Sequence, residues 1–258
     1  MSAVVTAARE ARERRERGIR ALDRVALATE TFLATVAGLK ESDVTAASLV
    51  PPWTRGHVIS HVARAGDSLG RLLEWAATGV AQAQYASMDA RAEEIEEGAD
   101  RSVAALVKDV ATTADRFDAT VRALPPEAWL VAVTPRTGEP CTPERLVLMR
   151  LRELEVHHVD LACAYTFADV PEAAAGWIIG DIARALAVRE GIPATRIEAT
   201  DTGLCEEWGR EGSARGAPHV RGGQSALLAW LTGRSEGGGL TVLGADVPGE
   251  VPPAPYWI

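Results

Sequence analysis

Apolar residues recur at helical spacing through the first two-thirds of the chain, and this pattern limits the possible folds more than any other feature. The first such segment runs from about Arg14 to Leu39, where the spacing predicts an amphipathic helix. Its apolar positions are Ile19, Leu22, Val25, Ala26, Phe32, Leu33 and Val36. The N-terminal part of the protein is therefore predicted to be helical.

Turn-forming residues divide this helical part into further segments. The motif PPWT interrupts the chain, and Thr54 is placed to cap a second helix that runs to about Ala77 and stops at Gly79. A third helix, whose start the pattern does not define, has the acidic run EEIEEGAD early in it and extends to about Leu124.

The fourth helix has a clear start. Thr142 before Pro143 is a typical beginning, with an N-cap residue followed by proline at the first helical position. This helix is predicted to run from about Pro143 to Tyr165. Four long helices with these connections predict a four-helix bundle.

The pattern changes after about Val170. One more helix is expected from about Glu172 to Arg189, followed by short, partly alternating runs that are typical of strands. The remaining expected elements are strands within residues 195–203 and 204–210, a helix within 222–234 and a final strand within 239–244. The chain is thus predicted to be α+β, with a helical bundle over residues 1–167 and a small α+β domain over residues 168–258.

Charge and cysteine content narrow the function classes. The formal net charge of −9 gives no general attraction for nucleic acid or for an anionic membrane. The three cysteines, Cys141, Cys163 and Cys205, lie far apart and form no CxxC pair, which fits a reducing compartment. We find neither an apolar leader nor a run long enough to span a membrane, so a soluble, cytoplasmic protein is expected, as a monomer or small homo-oligomer.

Four of the five histidines fall in two helical clusters. Glu153 and His157 are four residues apart on the fourth helix and therefore share one face, and His57 and His61 have the same spacing on the second helix. Two histidines and a carboxylate suit Zn²⁺ with an open coordination position, and also the non-haem Fe(II) triad. Such pairs also occur on helices that bind no metal, so packing and a solvated polar face remain alternatives.

Several segments together carry a resemblance to a known family. The stretches PPWTRGHVISHVAR, YASMDARAEEIEEGADRS, RLRELEVHHVDLACAY and LLAWLTGR occur in this order across nearly the whole chain. The sequence resembles the mycothiol-dependent maleylpyruvate isomerase family. That resemblance implies a DinB-like four-helix bundle with a metal site, followed by a small α+β domain.

The resemblance also implies a set of site residues. The metal, expected to be Zn²⁺, would be held by His61, Glu153 and His157. Arg91 and Arg234 would hold substrate carboxylates, since a guanidinium offers a planar fork that matches a carboxylate. Other residues are expected in supporting roles. His57 would cap or pack the helix, His158 and Asp160 would pack or orient it, and Tyr85 would help close the site. Glu155 would either face solvent or support the metal ligands.

The implied reaction is the cis–trans isomerisation of maleylpyruvate, a dicarboxylate, to fumarylpyruvate, with mycothiol as thiol cosubstrate. Two alternatives stay open from the sequence. One is a mycothiol S-transferase that acts on another electrophile, and the other is a DinB-like metal-binding protein without turnover. A regulatory protein is disfavoured, because the chain has no basic face for DNA.

Overall fold

The computed structural model describes residues 2–209, 217–244 and 250–255, with side chains from residue 5 onward. The chain divides into two compact units, Met1–Ala164 and Tyr165–Ile258. The first unit is helical and the second combines helices with a sheet, so the predicted α+β class is confirmed.

Four long helices form the bundle of the first unit. Its α-helices are α1 (Ser2–Ala37), α2 (Glu41–Val44), α3 (Arg55–Thr78), α4 (Met88–Ala99), α5 (Val103–Ala123) and α6 (Pro143–Asp160), and a 3₁₀ helix spans Pro126–Leu130. Helix α1 contacts α5 and α6, α3 contacts the same two helices, and α4 packs on α3. The predicted four-helix bundle is therefore α1, α3, α5 and α6.

The core of the bundle is mainly aliphatic, as the composition requires. Phe32 of α1, Leu72 of α3, Leu106 of α5 and Leu146 of α6 are all fully buried. The burial of such side chains is the main driving force that holds the four helices together, at about 1.5–3 kcal/mol for each side chain removed from water.

The two ends of α3 agree with the sequence signals. The Thr54 hydroxyl accepts a hydrogen bond from the backbone N–H of His57, which satisfies one of the free donors at the start of the helix. Gly79 ends the helix with a φ of 73°, a left-handed conformation that glycine adopts without steric cost. Capping residues alone thus defined this helix correctly.

The predicted third helix is in fact two helices, α4 and α5. Asp100 ends α4, and the Ser102 side chain accepts a hydrogen bond from the backbone N–H of Ala105, which caps α5. The acidic run EEIEEGAD contains too few apolar residues to show where one helix ends and the next begins. The signal for a new helix was Ser102, a typical N-cap residue two positions after Asp100.

Two other helix boundaries differ from the predictions. Helix α1 begins at Ser2 and not near Arg14, because its exposed first turns carry oppositely charged pairs one turn apart, such as Arg12 with Glu16 at 2.9 Å. Helix α6 ends at Asp160, five residues before the predicted end. The Arg55 side chain donates hydrogen bonds to the carbonyl oxygens of Leu161, at 2.6 Å, and Ala162, at 3.1 Å, the two residues that follow α6. These carbonyl groups therefore have hydrogen-bond partners without a further helical turn.

Two glycines allow α3 and α4 to touch. A Cβ added to Gly98 would lie 2.1 Å from the Ser60 hydroxyl oxygen, and one added to Gly56 would lie 2.0 Å from the carbonyl oxygen of Ala99. Any larger residue at either position would push the end of α4 away from the start of α3. The contact between these two helices therefore depends on the absence of both side chains.

In its described residues the second unit contains a four-stranded sheet and two helices. In chain order its elements are α7 (Glu172–Ala187), β1 (Thr195–Ala199), β2 (Cys205–Trp208), β3 (His219–Gly222), α8 (Gln224–Leu231) and β4 (Thr241–Leu243). The strand order is β2-β1-β3-β4, with β1 and β3 parallel and the outer pairs antiparallel. Helices α7 and α8 contact each other; α7 also contacts β2, and α8 contacts β1 and β3.

Strand β3 is absent from the sequence-based prediction. Its four residues are too few to show alternation, and its pairing with β1 joins residues more than twenty positions apart. Helix α7 ends at Ala187, two residues before the predicted end. Arg210, the last residue of the second predicted strand region, lies outside the described residues.

Across the described part of the chain, no helix combines the length and apolar character that crossing a membrane requires.

Candidate metal centre

Three side chains from α3 and α6 converge at one point. Nε2 of His61 lies 3.0 Å from Nε2 of His157 and 3.2 Å from Oε2 of Glu153. Nε2 of His157 lies 3.4 Å from the same Glu153 oxygen. His61 is 92 positions from Glu153 and 96 from His157 in the chain, yet their three potential ligand atoms form a compact triangle.

The helices explain why these atoms meet. Glu153 and His157 are one turn apart on α6, so their side chains point to the same side of the helix. Helix α3 packs against that side and supplies His61, which is buried, whereas the other two side chains keep about 15% of their surface exposed. The triangle is therefore fixed by bundle packing, and only a small part of its surface reaches solvent.

The triangle has the dimensions of a metal site. Three ligand atoms about 2.0–2.1 Å from a tetrahedral Zn²⁺ are about 3.3 Å apart, which agrees with the 3.0, 3.2 and 3.4 Å edges of the triangle. Two imidazole nitrogens and one carboxylate oxygen leave a fourth position for an exogenous ligand. The residues present therefore fit a divalent metal ion.

Neighbouring residues hold two of the three candidate ligands in place. Nδ1 of His157 lies 2.7 Å from Oδ2 of Asp160, a fully buried carboxylate. A histidine that donates Nδ1–H to a carboxylate keeps Nε2 available for a metal. Arg152 donates to the second oxygen of Glu153 at 3.1 Å, which leaves Oε2 directed at the histidines.

The three groups carry perturbed pKa values because they are buried together. Burial, reinforced by the nearby His157, lowers the pKa of His61 to about 4. Burial alone would raise the pKa of Glu153, but the hydrogen bonds from His157 and His61 outweigh it and lower this pKa well below its usual range. Burial also opposes protonation of His157, yet its hydrogen bonds to Asp160 and Glu153 raise its pKa.

The two remaining histidines of the clusters have other partners. His57 caps α3: its Nδ1 lies 2.7 Å from the Thr54 hydroxyl, and its Nε2 lies 3.0 Å from Glu96. The predicted capping role is confirmed. His158 points the other way from His157, with its Nε2 2.7 Å from the Thr35 hydroxyl and its ring against Phe32 of α1.

Arg91 reaches the same centre from α4. Its Nη2 lies 3.3 Å from Nδ1 of His61, and its guanidinium lies 5.8 Å from the Trp53 ring centre and 5.6 Å from the Tyr85 ring centre. Both aromatic rings favour a cation at this place. The sequence did not indicate that Trp53 contributes, although its ring also packs 5.3 Å from that of His61.

Arg234 belongs to the second unit. It follows α8, and its backbone N–H donates to the Ala229 carbonyl oxygen at 2.8 Å while its side chain donates to the carbonyl oxygen of Thr232. The predicted contact of Arg234 with substrate stays a prediction.

Sequence reasoning did not single out Arg150, which is fully buried and interacts electrostatically with Glu153. It lies one turn before Glu153 on α6. Arginines are abundant in this chain, and the sequence shows no way to separate a buried one from those that face solvent.

The comparisons with known proteins show the family of the chain. Residues 25–162, which are more than half of the chain, match the family described as "Mycothiol maleylpyruvate isomerase N-terminal domain". The chain belongs to this family. The match begins within α1, extends just past the end of α6 and includes all three converging side chains. No curated protein matches the chain.

Two solved structures extend the likeness beyond that domain. They are the crystal structure of the mycothiol-dependent maleylpyruvate isomerase and that of a histidine-to-alanine mutant of it. Each is 26% identical to this chain, with a TM-score of 0.82 over 93% of this chain and 97% of the other. The fold of the family member described here is therefore shared over nearly its whole length.

Proposed function

We propose that this family member is a mycothiol-dependent isomerase that converts maleylpyruvate to fumarylpyruvate with the help of a divalent metal, expected to be Zn²⁺. The observation that carries the proposal is the convergence of His61, Glu153 and His157 within the bundle. The names of the similar solved structures support the choice of reaction and of mycothiol as cosubstrate.

The His₂Glu set defines what a bound ion would contribute. A free thiol has a pKa of about 8.5 and is mostly protonated at neutral pH. Zn²⁺ held by these three residues would stabilise the thiolate form of a thiol that occupies its fourth position. The chain's own side chains must then position the substrate and stabilise the charge that develops on it.

The proposed chemistry conserves atoms and electrons. The thiolate adds to the conjugated double bond, one C–S bond forms, and the displaced electron pair becomes an enolate. Rotation about the resulting single bond is followed by collapse of the enolate, which restores the double bond in the trans form and expels the thiolate. The net reaction consumes no thiol and no proton.

Arg91 and Arg234 are the proposed partners of the substrate's two carboxylates and of the enolate. The contact of Arg91 with His61 supports its part. A neutral imidazole has one acceptor nitrogen, and coordination through Nε2 leaves Nδ1 carrying its proton. Nδ1 then accepts nothing from Arg91, so an N–H of this guanidinium becomes available for an anion.

The test is turnover of maleylpyruvate by the purified protein with and without mycothiol, after chelation and after Zn²⁺ is restored. We expect loss of the cis substrate only when thiol and metal are both present. Arg91→Gln and Arg234→Gln should each lower kcat/KM by about 100-fold. Accumulation of a mycothiol adduct would indicate an S-transferase, and turnover that needs no thiol would contradict the proposal.

A further inference from the structure

Arg150 is a buried cation that the proposed reaction does not use. Its side chain is fully buried, and Nη1 donates to the carbonyl oxygen of Val62 at 2.5 Å. Its Nε and Nη2 groups have no hydrogen-bond partner among the described residues. A protein interior tolerates such a group poorly, because burial of a charge without a paired counter-ion is costly.

The fold provides a defined place for this guanidinium. A Cβ added to Gly66 of α3 would lie only 3.3 Å from Cζ of Arg150. The glycine therefore leaves the space that the guanidinium occupies against the α3 backbone. The carbonyl oxygen of Val62 and the backbone of Gly66 together hold the Arg150 guanidinium in one position.

This position is next to the metal centre on both helices. Arg150 lies three residues before Glu153 on α6, and Val62, its hydrogen-bond partner on α3, directly follows His61. Among the surrounding charges, that of Glu153 is the strongest one that favours the Arg150 cation, ahead of Asp67. The cation and the converging ligands thus interact electrostatically.

Arg150 stays charged at neutral pH and differs from its neighbour Arg152. Burial lowers the pKa of Arg150 to about 10, which still leaves it protonated at pH 7. Arg152 is hydrogen-bonded to Glu153, so its charge is directly opposed by a carboxylate. Arg150 has no carboxylate within hydrogen-bonding distance in the described ranges, so its charge acts on its surroundings.

We propose that Arg150 is a fixed charge that makes the His61–Glu153–His157 centre selective for an anionic exogenous ligand, such as a thiolate, while it weakens binding of the metal ion itself. This inference rests on the metal site of the proposed function. A positive charge repels a divalent cation and attracts a monoanion at the same place, so the two effects have opposite signs. A structural role of Arg150 would instead impair both kinds of binding.

The experiment measures both effects on the full-length protein loaded with Co²⁺, whose visible spectrum reports on its ligands. We would compare wild type with Arg150→Gln, which removes the charge and keeps a donor, and with Arg150→Lys, which keeps the charge. Arg116→Gln is the control, since it removes one exposed cation from the same bundle. Azide serves as the monoanionic probe and imidazole as the neutral one.

For Arg150→Gln we expect Co²⁺ to bind several-fold more tightly in competition with a chelating dye, and azide to bind about tenfold more weakly. Imidazole affinity should stay unchanged, and Arg150→Lys and Arg116→Gln should resemble wild type. If Arg150→Gln does not fold, as judged by circular dichroism, Arg150→Met replaces it in the same measurements.

The possible results separate the two claims. If wild type does not retain Co²⁺, the metal site and the proposed function both fail. If wild type binds Co²⁺ but the neutral variant loses metal affinity, or binds azide as wild type does, only the role of Arg150 is overturned. A lysine variant that behaves like the glutamine variant would also overturn it, because the charge would then have no effect.

Discussion

Helix α3 carries two polar clusters that differ in how their charges are arranged. Toward α6, His61 meets Glu153 and His157, and three potential ligand atoms face one another. Toward α5, three arginines and two aspartates pair with one another, and we call this group the α3–α5 ion network. Its members are Arg64, Asp67, Arg101, Asp109 and Arg116.

The two clusters show what separates a binding site from a structural contact. In the ion network every carboxylate has a guanidinium partner, for example Asp109 with Arg64 at 2.6 Å and with Arg101 at 3.2 Å. In the triad the nitrogens of His61 and His157 lie 3.0 Å apart, an arrangement that two metal-free neutral imidazoles satisfy with only one hydrogen bond. A metal ion would satisfy all three triad atoms at once, whereas it would find no vacant ligand in the network.

The largest expected effect comes from removing one ligand of the triad. We expect His61→Ala to lower metal affinity by at least about 1000-fold, since two ligands on one helix cannot hold the ion as three do. His57→Ala is the matched control, because it removes a histidine one turn earlier on the same helix. Metal content by elemental analysis gives the comparison, and a greater loss from His57→Ala would contradict the assigned ligands.

The pH dependence of stability in the metal-free protein should reveal the buried histidines. The pKa of His61 is lowered to about 4. Between about pH 6.5 and pH 4 the unfolded chain binds a proton at this histidine more readily than the folded protein does. The free energy of unfolding should therefore fall by about 3 kcal/mol as the pH drops through this range. The pKa of His157 is raised, so stability also falls as the pH rises above about 6.5 through that pKa.

The metal-free protein is therefore expected to be most stable near pH 6.5, as measured by urea unfolding across a pH series. Zn²⁺ requires both imidazoles to be unprotonated, so the loaded protein should keep gaining stability above that pH. His157→Gln should remove the decline on the alkaline side. A metal-free curve that rises steadily to pH 8 would contradict this account.

A smaller effect is expected at Asp160, which touches a ligand and not the metal. Asp160→Asn keeps the side-chain shape but removes the charge that holds Nδ1–H of His157 at 2.7 Å. Metal affinity should fall by about 10-fold, and the pKa of His157, followed by NMR in the metal-free protein, should fall as well. Asp118→Asn, at an exposed pair on α5, should change neither quantity.

The ion network should respond differently from the triad. Asp109→Asn removes the partner of two arginines, and we expect a loss of about 1 kcal/mol in the free energy of unfolding, because the pair is partly exposed. Metal affinity should remain within a factor of two or so of wild type, which chelator competition can measure. A tenfold loss of metal affinity would show that the two clusters are coupled through α3.

The sequence indicated which side chains would converge on α6 because helical periodicity is a local property. The four-residue spacing of Glu153 and His157 places them on one face whatever the rest of the fold does. The choice between His57 and His61 depended on the family resemblance, since both have the same local pattern. Only the packing of α3 on α6 shows that His61 points inward and that His57 caps the helix.

Features that depend on tertiary contacts could not be predicted. The end of α6 depends on Arg55, which is more than a hundred positions away in the chain. The burial of Arg150 depends on Gly66 of another helix, and neither residue is unusual in its own segment.

The separation of α4 from α5 was missed for a local reason, since the acidic run obscured the serine cap.

The glycine pair between α3 and α4 has a consequence for how this scaffold diversifies. Because Gly56 and Gly98 anchor the far end of α4, the half of that helix that bears Arg91 can change its exposed residues without disturbing the anchored end. New substrate preferences would then arise by surface replacements near the start of α4, and enlarging either glycine would instead shift the whole helix. Libraries for altered specificity should vary the exposed positions Met88, Asp89, Ala92, Glu93 and Glu94 and leave Arg91 and both glycines untouched.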